Sequence, residues 1–540
     1  WAIVQSAFCN SDDIIFCTTS SGRASPVPGI EDIVGPTFAT FPVRITLNPQ
    51  ERVVDLLSRL QKQAAETIAF EHFGLQNIQR IPEIPAETLD LRNLFVVQPK
   101  LEPQELEAAN GGMGLERVPL EEEGFHSYPL VLESFMHDGG VDFEASYDEK
   151  VLPENQMRNV LASLGHVVRR LVEASPDTPV GAIELVDEES RKQLMEWNNT
   201  TLTAGVHQCL HELVAQRIRE NPSAPAICSW KWNLSYGQLG DLSIKLAARL
   251  QREYNVGPEV KVPFCLDKTP WAPVVAFAIL MAGGVCVPLN PEHPDARLDG
   301  QLRSLKASLL LVSPWYVNRF QGRVAHTLAV DSELFDESPA PLAAVSGNAT
   351  SSNAAFIVYT SGSTGTPKGI VLEHSALCTS AQAYGDAFDV GPGTRVLQFA
   401  AYTFDVTISD FFYALTRGAC ICVISESERM DDLMGSIART EANYADLTST
   451  VARLLDPVQI PTLKTLILAG EPLAPDVVSK FAGHANIINA YGPAECSVNA
   501  ACRAGVSPED EEILNYGRPT AAAFWVVNPK NHDQLYPLGA

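Results

Sequence analysis

Positive charge is scarce in this sequence. The 540 residues include 39 Lys and Arg against 65 Asp and Glu, which gives a formal net charge of -26, and the basic residues form no run. Because binding to a nucleic-acid backbone requires a concentrated basic surface, the composition argues against a nucleic-acid groove. With 46% hydrophobic and 19% charged residues, the chain is typical of a globular protein with more than one domain.

Paired cysteines and long membrane-type runs are missing as well. The eleven cysteines are scattered singly, apart from Cys420 and Cys422, and no CxxC pair or His/Cys ligand spacing occurs. This usage indicates buried thiols in a reducing, cytoplasmic compartment, without a zinc site. Residues 271–289 are uncharged, but prolines and glycines interrupt them. They predict a buried helix followed by a strand, so no membrane partner is expected.

The most informative stretch is residues 355–374, AFIVYTSGSTGTPKGIVLEH. An apolar run leads into a polar loop, and β-branched residues resume at Ile370, which predicts a strand, a loop and a second ordered element. Glycines expose backbone N–H groups, hydroxyls add donors, and Lys368 supplies a fixed charge, a combination that suits polyphosphate.

Two other interpretations of the loop fit less well. A flexible Gly/Ser linker would not normally lie between two apolar runs. A P-loop requires Gly-Lys-Ser/Thr after a four-residue gap, whereas Lys368 lies between Pro367 and Gly369.

The stretch resembles the phosphate-loop signature of the adenylate-forming superfamily, and the residues around it resemble the adenylation domain of a fungal-type nonribosomal peptide synthetase. From residue 206 onward, helices alternate with short apolar strands, which predicts an α/β fold with mainly parallel sheets flanked by helices. The resemblance implies ATP and Mg²⁺ as cofactors. It implies the following nucleotide contacts: Thr360, Ser361, Gly362, Ser363, Thr364, Gly365, Lys368, Gly470, Glu471, Asn489 and Tyr491.

An acid after a Tyr-Gly-Pro turn is the candidate metal ligand. Activating a carboxylic acid with ATP requires a triphosphate site, a metal and neutralisation of the phosphoryl charge. Mg²⁺ prefers oxygen ligands, and Glu495 follows the turn in residues 490–495. The resemblance assigns Glu495 to the metal and Tyr491 to the purine, with Lys368 and Glu495 as the catalytic pair.

Asp405 lies in the largely apolar and aromatic run 399–415, where an unpaired carboxylate is costly to bury. It is either the N-cap of a helix through Phe412 or, by resemblance, the partner of a substrate α-ammonium group. The resemblance also implies the walls of a side-chain pocket: Val406, Ser409, Asp446, Ile467, Ala469, Ala490, Val498 and Asn499. Because Asp446 would be a second acid there, we expect a polar or basic substrate side chain.

Residues 1–175 predict a separate α/β unit that resembles the C-terminal part of a condensation domain, which is chloramphenicol-acetyltransferase-like. The similarity rests on residues 27–36, 42–44 and 91–95. That family's paired-histidine motif HHxxxDG is absent, because His126, His137 and His166 are isolated. The unit is therefore not expected to form peptide bonds by itself. A linker is expected over residues 176–205, and a truncated adenylation core over 206–540.

The resemblance implies amino-acid adenylation within a multimodular synthetase that makes a secondary-metabolite peptide. Its partners would be an amino acid and carrier domains, whose phosphopantetheine lies outside this chain. We expect a piece cut at both ends, with impaired activity because the C-terminal subdomain is missing. The alternatives are an acyl-CoA or aryl-acid ligase of the same superfamily, which Asp405 disfavours, and a non-catalytic scaffold.

Overall fold

The computed structural model describes residues 1–24, 26–81, 91–98, 128–201, 204–335, 348–360 and 367–540. It divides into two compact units. The first contains Trp1–Trp197 together with Trp525–Ala540, and the second contains Asn198–Phe524. The C-terminal segment therefore packs with the first unit, and the domain bounds expected from the sequence stay a prediction.

The first unit is built on a five-stranded mixed sheet. Its strands are β1 (Asp13–Ser20), β2 (Ala39–Thr46), β3 (Asn93–Gln98), β4 (Leu130–His137) and β5 (Gly140–Tyr147). They lie in the order β2-β1-β3-β4-β5. β4 and β5 form an antiparallel hairpin, as the turn at Asp138-Gly139 predicts.

Helices cover one core of the first unit. They span Ala2–Cys9, Val53–Thr67, Leu75–Ile78 and Glu154–Glu173. In the last of these, Met157, Val160, Leu164 and Val167 are buried because their spacing places them on one helical face. The C-terminal segment adds a small hairpin of β21 (Val527–Asn528) and β22 (Asn531–Leu535). A further helix, Glu188–Thr201, comes after Glu154–Glu173 in the sequence.

The second unit contains a six-stranded sheet. Its strands are β8 (Lys261–Cys265), β9 (Val285–Pro288), β10 (Leu309–Val312), β11 (His326–Ala329), β12 (Ala354–Thr360) and β13 (Lys368–Glu373). They lie in the order β11-β10-β8-β9-β12-β13. All neighbours are parallel except β12 and β13, which form an antiparallel pair.

The second unit also contains a nine-stranded sheet. Its strands are β6 (Pro225–Ser229), β7 (Leu234–Ser235), β14 (Arg395–Gln398), β15 (Cys420–Val423), β16 (Tyr444–Leu447), β17 (Thr465–Leu468), β18 (Asn486–Tyr491), β19 (Ala501–Ala504) and β20 (Arg518–Pro519). They lie in the order β20-β19-β18-β17-β16-β14-β15-β6-β7. Every pair from β6 through β18 is parallel. The predicted α/β class with mainly parallel sheets is confirmed.

Helices flank these sheets. They span Leu210–Glu220, Tyr236–Tyr254, Trp271–Met281, Asp295–Leu305, Val317–Phe320, His374–Ala387, Val406–Ile408, Ala414–Thr416, Glu426–Asp431, Leu433–Thr440, Ser449–Ala452 and Pro475–Phe481. The helix Trp271–Met281 is buried on all sides and leads into β9, which confirms the prediction for residues 271–289. Among the described residues, no helix is long and apolar enough to cross a bilayer.

Candidate active site

The two strands at the base of the polar loop are β12 and β13. Their last register pair joins Thr360 to Lys368, so these two predicted contacts lie opposite each other on neighbouring strands. The Lys368 side chain is exposed, and its ammonium group has no ion-pair or hydrogen-bond partner among the described residues. Five predicted contacts lie outside the described residues: Ser361, Gly362, Ser363, Thr364 and Gly365.

Three neighbouring parallel strands form one wall of the candidate pocket. Asp446 on β16 pairs with Ile467 on β17, which pairs with Ile488 on β18. Ala490 faces the same side because it lies two residues beyond Ile488. Asp446 is 6% exposed, and its Oδ2 atom has no hydrogen-bond partner within the described part of the chain. The wall thus contains a buried carboxyl oxygen without a partner.

A short helical segment, Val406–Ile408, follows Asp405. One carboxylate oxygen of Asp405 accepts a hydrogen bond from the backbone N–H of Val406 at 3.0 Å, so Asp405 is the N-cap of this segment, while its role toward a substrate stays a prediction. A π-helical turn, Ser409–Tyr413, follows and is buried throughout. The Ser409 hydroxyl donates to the Val406 carbonyl at 2.7 Å. Single π turns occur often at functional sites, and this one contains the predicted pocket residue Ser409.

The acids of the pocket influence one another. Burial raises the pKa of Asp405 to about 6, and the charge of Glu495 adds to this rise. Burial also raises the pKa of Asp446 well above its usual value, with the charges of Asp410 and Asp405 contributing. Neither Asp405 nor Glu495 forms an ion pair with any described residue. Negative charge is therefore concentrated around Asp405.

A strained turn connects Glu495 to the predicted pocket residues Val498 and Asn499. Glu495 is exposed in the short turn Ala494–Cys496, and φ is positive at both Ser497 and Val498. The turn buries the Val498 and Asn499 side chains. The amide nitrogen of Asn499 lacks a hydrogen-bond partner in the described regions, so it is available to a ligand.

An exposed aromatic pair lies at the end of β18. The rings of Tyr491 and Tyr516 are 5.1 Å apart, and 47% of Tyr491 and 38% of Tyr516 are exposed. Asn489 is buried, and its amide donates to the Asn515 carbonyl at 3.1 Å. Asn489 therefore supports the segment that carries Tyr516. Sequence reasoning missed Tyr516, because nothing in its local sequence marks it as a partner of Tyr491.

The remaining predicted nucleotide contacts follow β17. Gly470 is exposed with a φ of 79°, which favours glycine. Glu471 accepts hydrogen bonds from the Thr450 backbone N–H and, at 3.0 Å, from the Thr450 hydroxyl. Ala469 is half-buried between β17 and this turn. The Glu471 side chain thus already has a partner within the protein.

Two buried tyrosines near Asp446 were not predicted. The Tyr444 and Tyr384 hydroxyls form a hydrogen bond with each other. Burial raises the pKa of Tyr384 well above its usual value, and the charge of Asp446 contributes. The two residues come from β16 and from the helix His374–Ala387. Only the tertiary fold brings these hydroxyls close to the pocket acid.

A separate group of ligand-type side chains was also missed. Cys209, His211 and His374 each place one potential metal-ligand atom within 4.8 Å of the others. The backbone N–H of Leu210 donates to Nδ1 of His374 at 3.2 Å. Because Nδ1 accepts this bond, the neutral His374 ring carries its proton on Nε2. Neither ring nitrogen then offers a free lone pair to a metal ion. We therefore assign the group to core packing.

The mainly parallel sheets place the chain in the α/β class, in which ligands bind beyond the carboxyl ends of the strands. The chain belongs to the AMP-binding enzyme family, whose model matches residues 214–536. A condensation-domain model matches residues 1–195. The resemblance that the sequence predicted for both parts of the chain is confirmed.

Curated relatives are similar along the whole chain. Nonribosomal peptide synthetase ecdA of Aspergillus rugulosus is 41% identical over 543 residues, and inpB of Emericella nidulans is 38% identical over 546 residues. Both alignments cover 100% of this chain, but the chain spans only 7% of the first protein and 23% of the second.

Solved structures share the fold. The nonribosomal peptide synthetase FmoA3 in its alpha-methyl-L-serine-AMP bound form has a TM-score of 0.79 at 18% identity, over 97% of this chain and 61% of that chain. VinN in complex with L-aspartate has a TM-score of 0.52 at 20% identity, over 59% of this chain and 84% of that chain. At these identities the two structures support the fold alone.

Proposed function

We propose that this chain is part of a nonribosomal peptide synthetase and that its Asn198–Phe524 unit activates an amino acid with ATP. A carboxylate oxygen of the amino acid bonds to the α-phosphorus, and the bond from that phosphorus to pyrophosphate breaks. The products are an aminoacyl-AMP and pyrophosphate. The names of the curated relatives and the alpha-methyl-L-serine-AMP bound to FmoA3 support this assignment.

The observation that carries the proposal is the pair of carboxylates without cations, Asp405 and Glu495. They are close enough for the charge of Glu495 to raise the pKa of Asp405. A site for a substrate ammonium group and a magnesium ion requires two such acids. Asp405, half-buried beside the pocket, holds the α-ammonium, and the exposed Glu495 holds Mg²⁺.

The nucleotide lies between the loop base and the aromatic pair. Lys368 neutralises charge on the phosphate oxygens, a role that its free ammonium group permits. Tyr491 and Tyr516 offer exposed rings for stacking of the purine. Gly470 lets the backbone approach the base closely. A carrier domain with phosphopantetheine, outside this chain, then receives the activated amino acid.

Asp446 sets the preference for the substrate side chain. Its buried carboxyl has an oxygen without a partner, and a buried unpaired acceptor costs about 1–3 kcal/mol. A polar or amine-bearing side chain relieves this cost, whereas an aliphatic one does not. Ser409 and Asn499 add polar groups to the same cavity. The preferred substrate is therefore an α-amino acid with a hydrogen-bond donor or a cation on its side chain.

The test is amino-acid-dependent ATP–pyrophosphate exchange by the parent synthetase. Lys368→Ala and Glu495→Gln should each lower the exchange rate about 100-fold or more, because each removes a charge that acts on the transition state. Exposed residues of the same types provide the matched controls Lys231→Ala and Glu511→Gln, which should keep the parental rate. Undiminished exchange in the two site variants would contradict the proposal.

The substrate panel separates the alternatives. Exchange stimulated by fatty or aryl acids, and unaffected by Asp405→Asn, would indicate an acyl-CoA or aryl-acid ligase. Exchange absent with every acid would indicate a non-catalytic scaffold. Among amino acids, preference for Leu or Phe over every polar candidate would rule out the role given to Asp446.

A further inference from the structure

Three thiols lie together in the nine-stranded sheet. Cys228 on β6 and Cys422 on β15 are register partners in neighbouring parallel strands. Cys420 faces the same side of β15 as Cys422 because side chains two residues apart on a strand share a face. The Cys422 thiol donates a hydrogen bond to the Thr440 carbonyl at 3.6 Å. All three cysteines are free, and Cys228 is half-buried while the other two are buried.

Two guanidinium groups adjoin this cluster. Arg395 on β14 is the register partner of Cys420 in the neighbouring strand. Its Nε atom also donates to the Thr440 carbonyl at 2.7 Å, which fixes the guanidinium in place. Arg439 approaches from the helix Leu433–Thr440. Positive charge beside a partly exposed sulfur favours the reactive thiolate form.

Cys228 differs in this respect from the exposed cysteines. The adjacent Cys422 thiol and the charges of Arg395 and Arg439 lower the pKa of Cys228 to about 6. Burial instead raises the pKa of the Cys9 and Cys496 thiols, although both residues are exposed. The more exposed cysteines are therefore not the ones with the lowered thiol pKa. The reactivities of Cys228 and of an exposed cysteine can be compared within the same protein.

We propose that Cys228 is a modification site for hydroperoxides and other soft electrophiles and that Cys422 is its resolving thiol. The Cys228 thiolate attacks one oxygen of hydrogen peroxide, the O–O bond breaks, and hydroxide leaves, giving a sulfenic acid. Cys422 then attacks the Cys228 sulfur, an S–S bond forms, and the S–O bond breaks. Two thiols and one peroxide give one disulfide and two waters.

The strand register makes this disulfide geometrically accessible. Neighbouring strands lie about 4.7–4.9 Å apart, which falls within the Cα separation of about 4.4–6.8 Å that disulfides adopt. Cys228 reacts first because it is the half-buried member of the pair. Small reagents reach its sulfur, whereas Cys422 reacts only after Cys228 has been oxidised. The inference does not depend on the proposed function.

Competitive alkylation of the intact chain tests the reactive thiolate. Limiting iodoacetamide at pH 7, followed by peptide mass spectrometry, should label Cys228 about fivefold faster than Cys496, since a larger thiolate fraction outweighs its lower intrinsic nucleophilicity. Arg439→Gln should slow the labelling of Cys228, while the matched exposed variant Arg453→Gln should not. Equal or slower labelling of Cys228 relative to Cys496 would overturn the proposal.

Oxidation with hydrogen peroxide tests the resolving role. The wild-type chain should yield a Cys228–Cys422 linked peptide, and Cys422→Ser should yield a sulfenic acid on Cys228 that dimedone traps. Cys420→Ser should leave the linkage unchanged. A linkage to Cys420, or dimedone labelling of Cys496 before Cys228, would refute the assignment. Should a serine variant not fold, the wild-type linkage map and alkylation rates decide the question alone.

Discussion

The Tyr413 hydroxyl donates a hydrogen bond of 2.8 Å to the backbone carbonyl of Ser497. The Ser380 hydroxyl donates to the same oxygen, also at 2.8 Å. Ser497 and Val498 have φ values of 60° and 81°, and a positive φ at β-branched Val498 is a strained conformation. Two buried hydroxyls thus hold the turn that joins Glu495 to the pocket residues Val498 and Asn499.

Tyr413→Phe should weaken amino-acid binding. The variant removes one of the two donors and keeps the ring, so about 1 kcal/mol of turn stabilisation is lost, and the turn relaxes away from the pocket. We expect the KM for the amino acid to rise about fivefold, with a smaller change in kcat. Substrate titration in the exchange assay measures both constants.

Tyr236→Phe is the matched control. The Tyr236 hydroxyl is also buried and donates to the Ala419 carbonyl at 2.8 Å, but it does not contact the turn. Its removal should lower the melting temperature to a similar extent and leave KM unchanged. Equal KM values for the two variants would show that the Tyr413 hydroxyl serves stability alone.

Gly492 is required by the same turn. A Cβ atom at this position would lie 2.0 Å from the Val498 carbonyl oxygen, a backbone atom that cannot move without displacing the strained turn. Gly492→Ala should therefore destabilise the protein by about 2–4 kcal/mol and abolish exchange. Gly391→Ala, where nothing lies within 4 Å of the added atom, should be near neutral. Urea unfolding compares the two variants, and similar midpoints would contradict the close approach.

Local patterns were sufficient for much of the fold. Two features could be predicted because neighbours in sequence determine them. One is the tight turn between the hairpin strands Leu130–His137 and Gly140–Tyr147, and the other is the interrupted apolar run that forms Trp271–Met281 and β9. The helix Ala2–Cys9 was not predicted. Its residues are mostly apolar, so it lacks the polar face that marks an amphipathic helix.

The site was harder to predict because its parts come from distant segments. Asp405 was identified, since a carboxylate in an apolar run is conspicuous, but its cap bond and its proximity to Glu495 required the fold. Ser380, Tyr413 and Ser497 meet only after the helix His374–Ala387 packs on the π turn. The pairing of Cys228 with Cys422 depends on β6 lying beside β15, and no sequence period encodes that register.

Asp405 should make both stability and binding depend on pH. Its folded-state pKa of about 6 lies above the ordinary value of 3.8, so its contribution to stability is fully present below about pH 4 and is lost as pH rises through 6. At about 1.4 kcal/mol per pKa unit, the loss is on the order of 3 kcal/mol.

The ionised Asp405 carboxylate is the form that binds an ammonium group. Amino-acid affinity should therefore fall as pH drops below 6, whereas the contribution of Asp405 to stability rises. Asp405→Asn should remove both dependences. Unfolding free energies and substrate KM values between pH 4 and pH 8 measure them. If the wild type and Asp405→Asn show parallel pH profiles, the carboxyl group is not the titrating residue.

Two buried residues of opposite charge, Lys268 and Asp410, are connected through Gln398. Lys268 is 7% exposed and Asp410 is 2% exposed. The Lys268 ammonium donates to Oε1 of Gln398 at 2.7 Å and to the Ala400 carbonyl at 2.7 Å, and the Gln398 amide donates to the Asp410 carboxylate at 3.4 Å. Burial lowers the pKa of Lys268 and raises that of Asp410, while each charge opposes the shift of the other.

Removing one member of this pair should be worse than removing both. Lys268→Met leaves Asp410 buried without its cation and should cost about 3–5 kcal/mol of unfolding free energy, as should Asp410→Leu. The double variant should cost clearly less than the sum, because no uncompensated charge is left in the interior. Urea unfolding at pH 7 of the wild type, both single variants and the double variant gives the coupling energy. If the losses of unfolding free energy in the two single variants add up in the double variant, Lys268 and Asp410 do not stabilise each other, and Gln398 separates their charges.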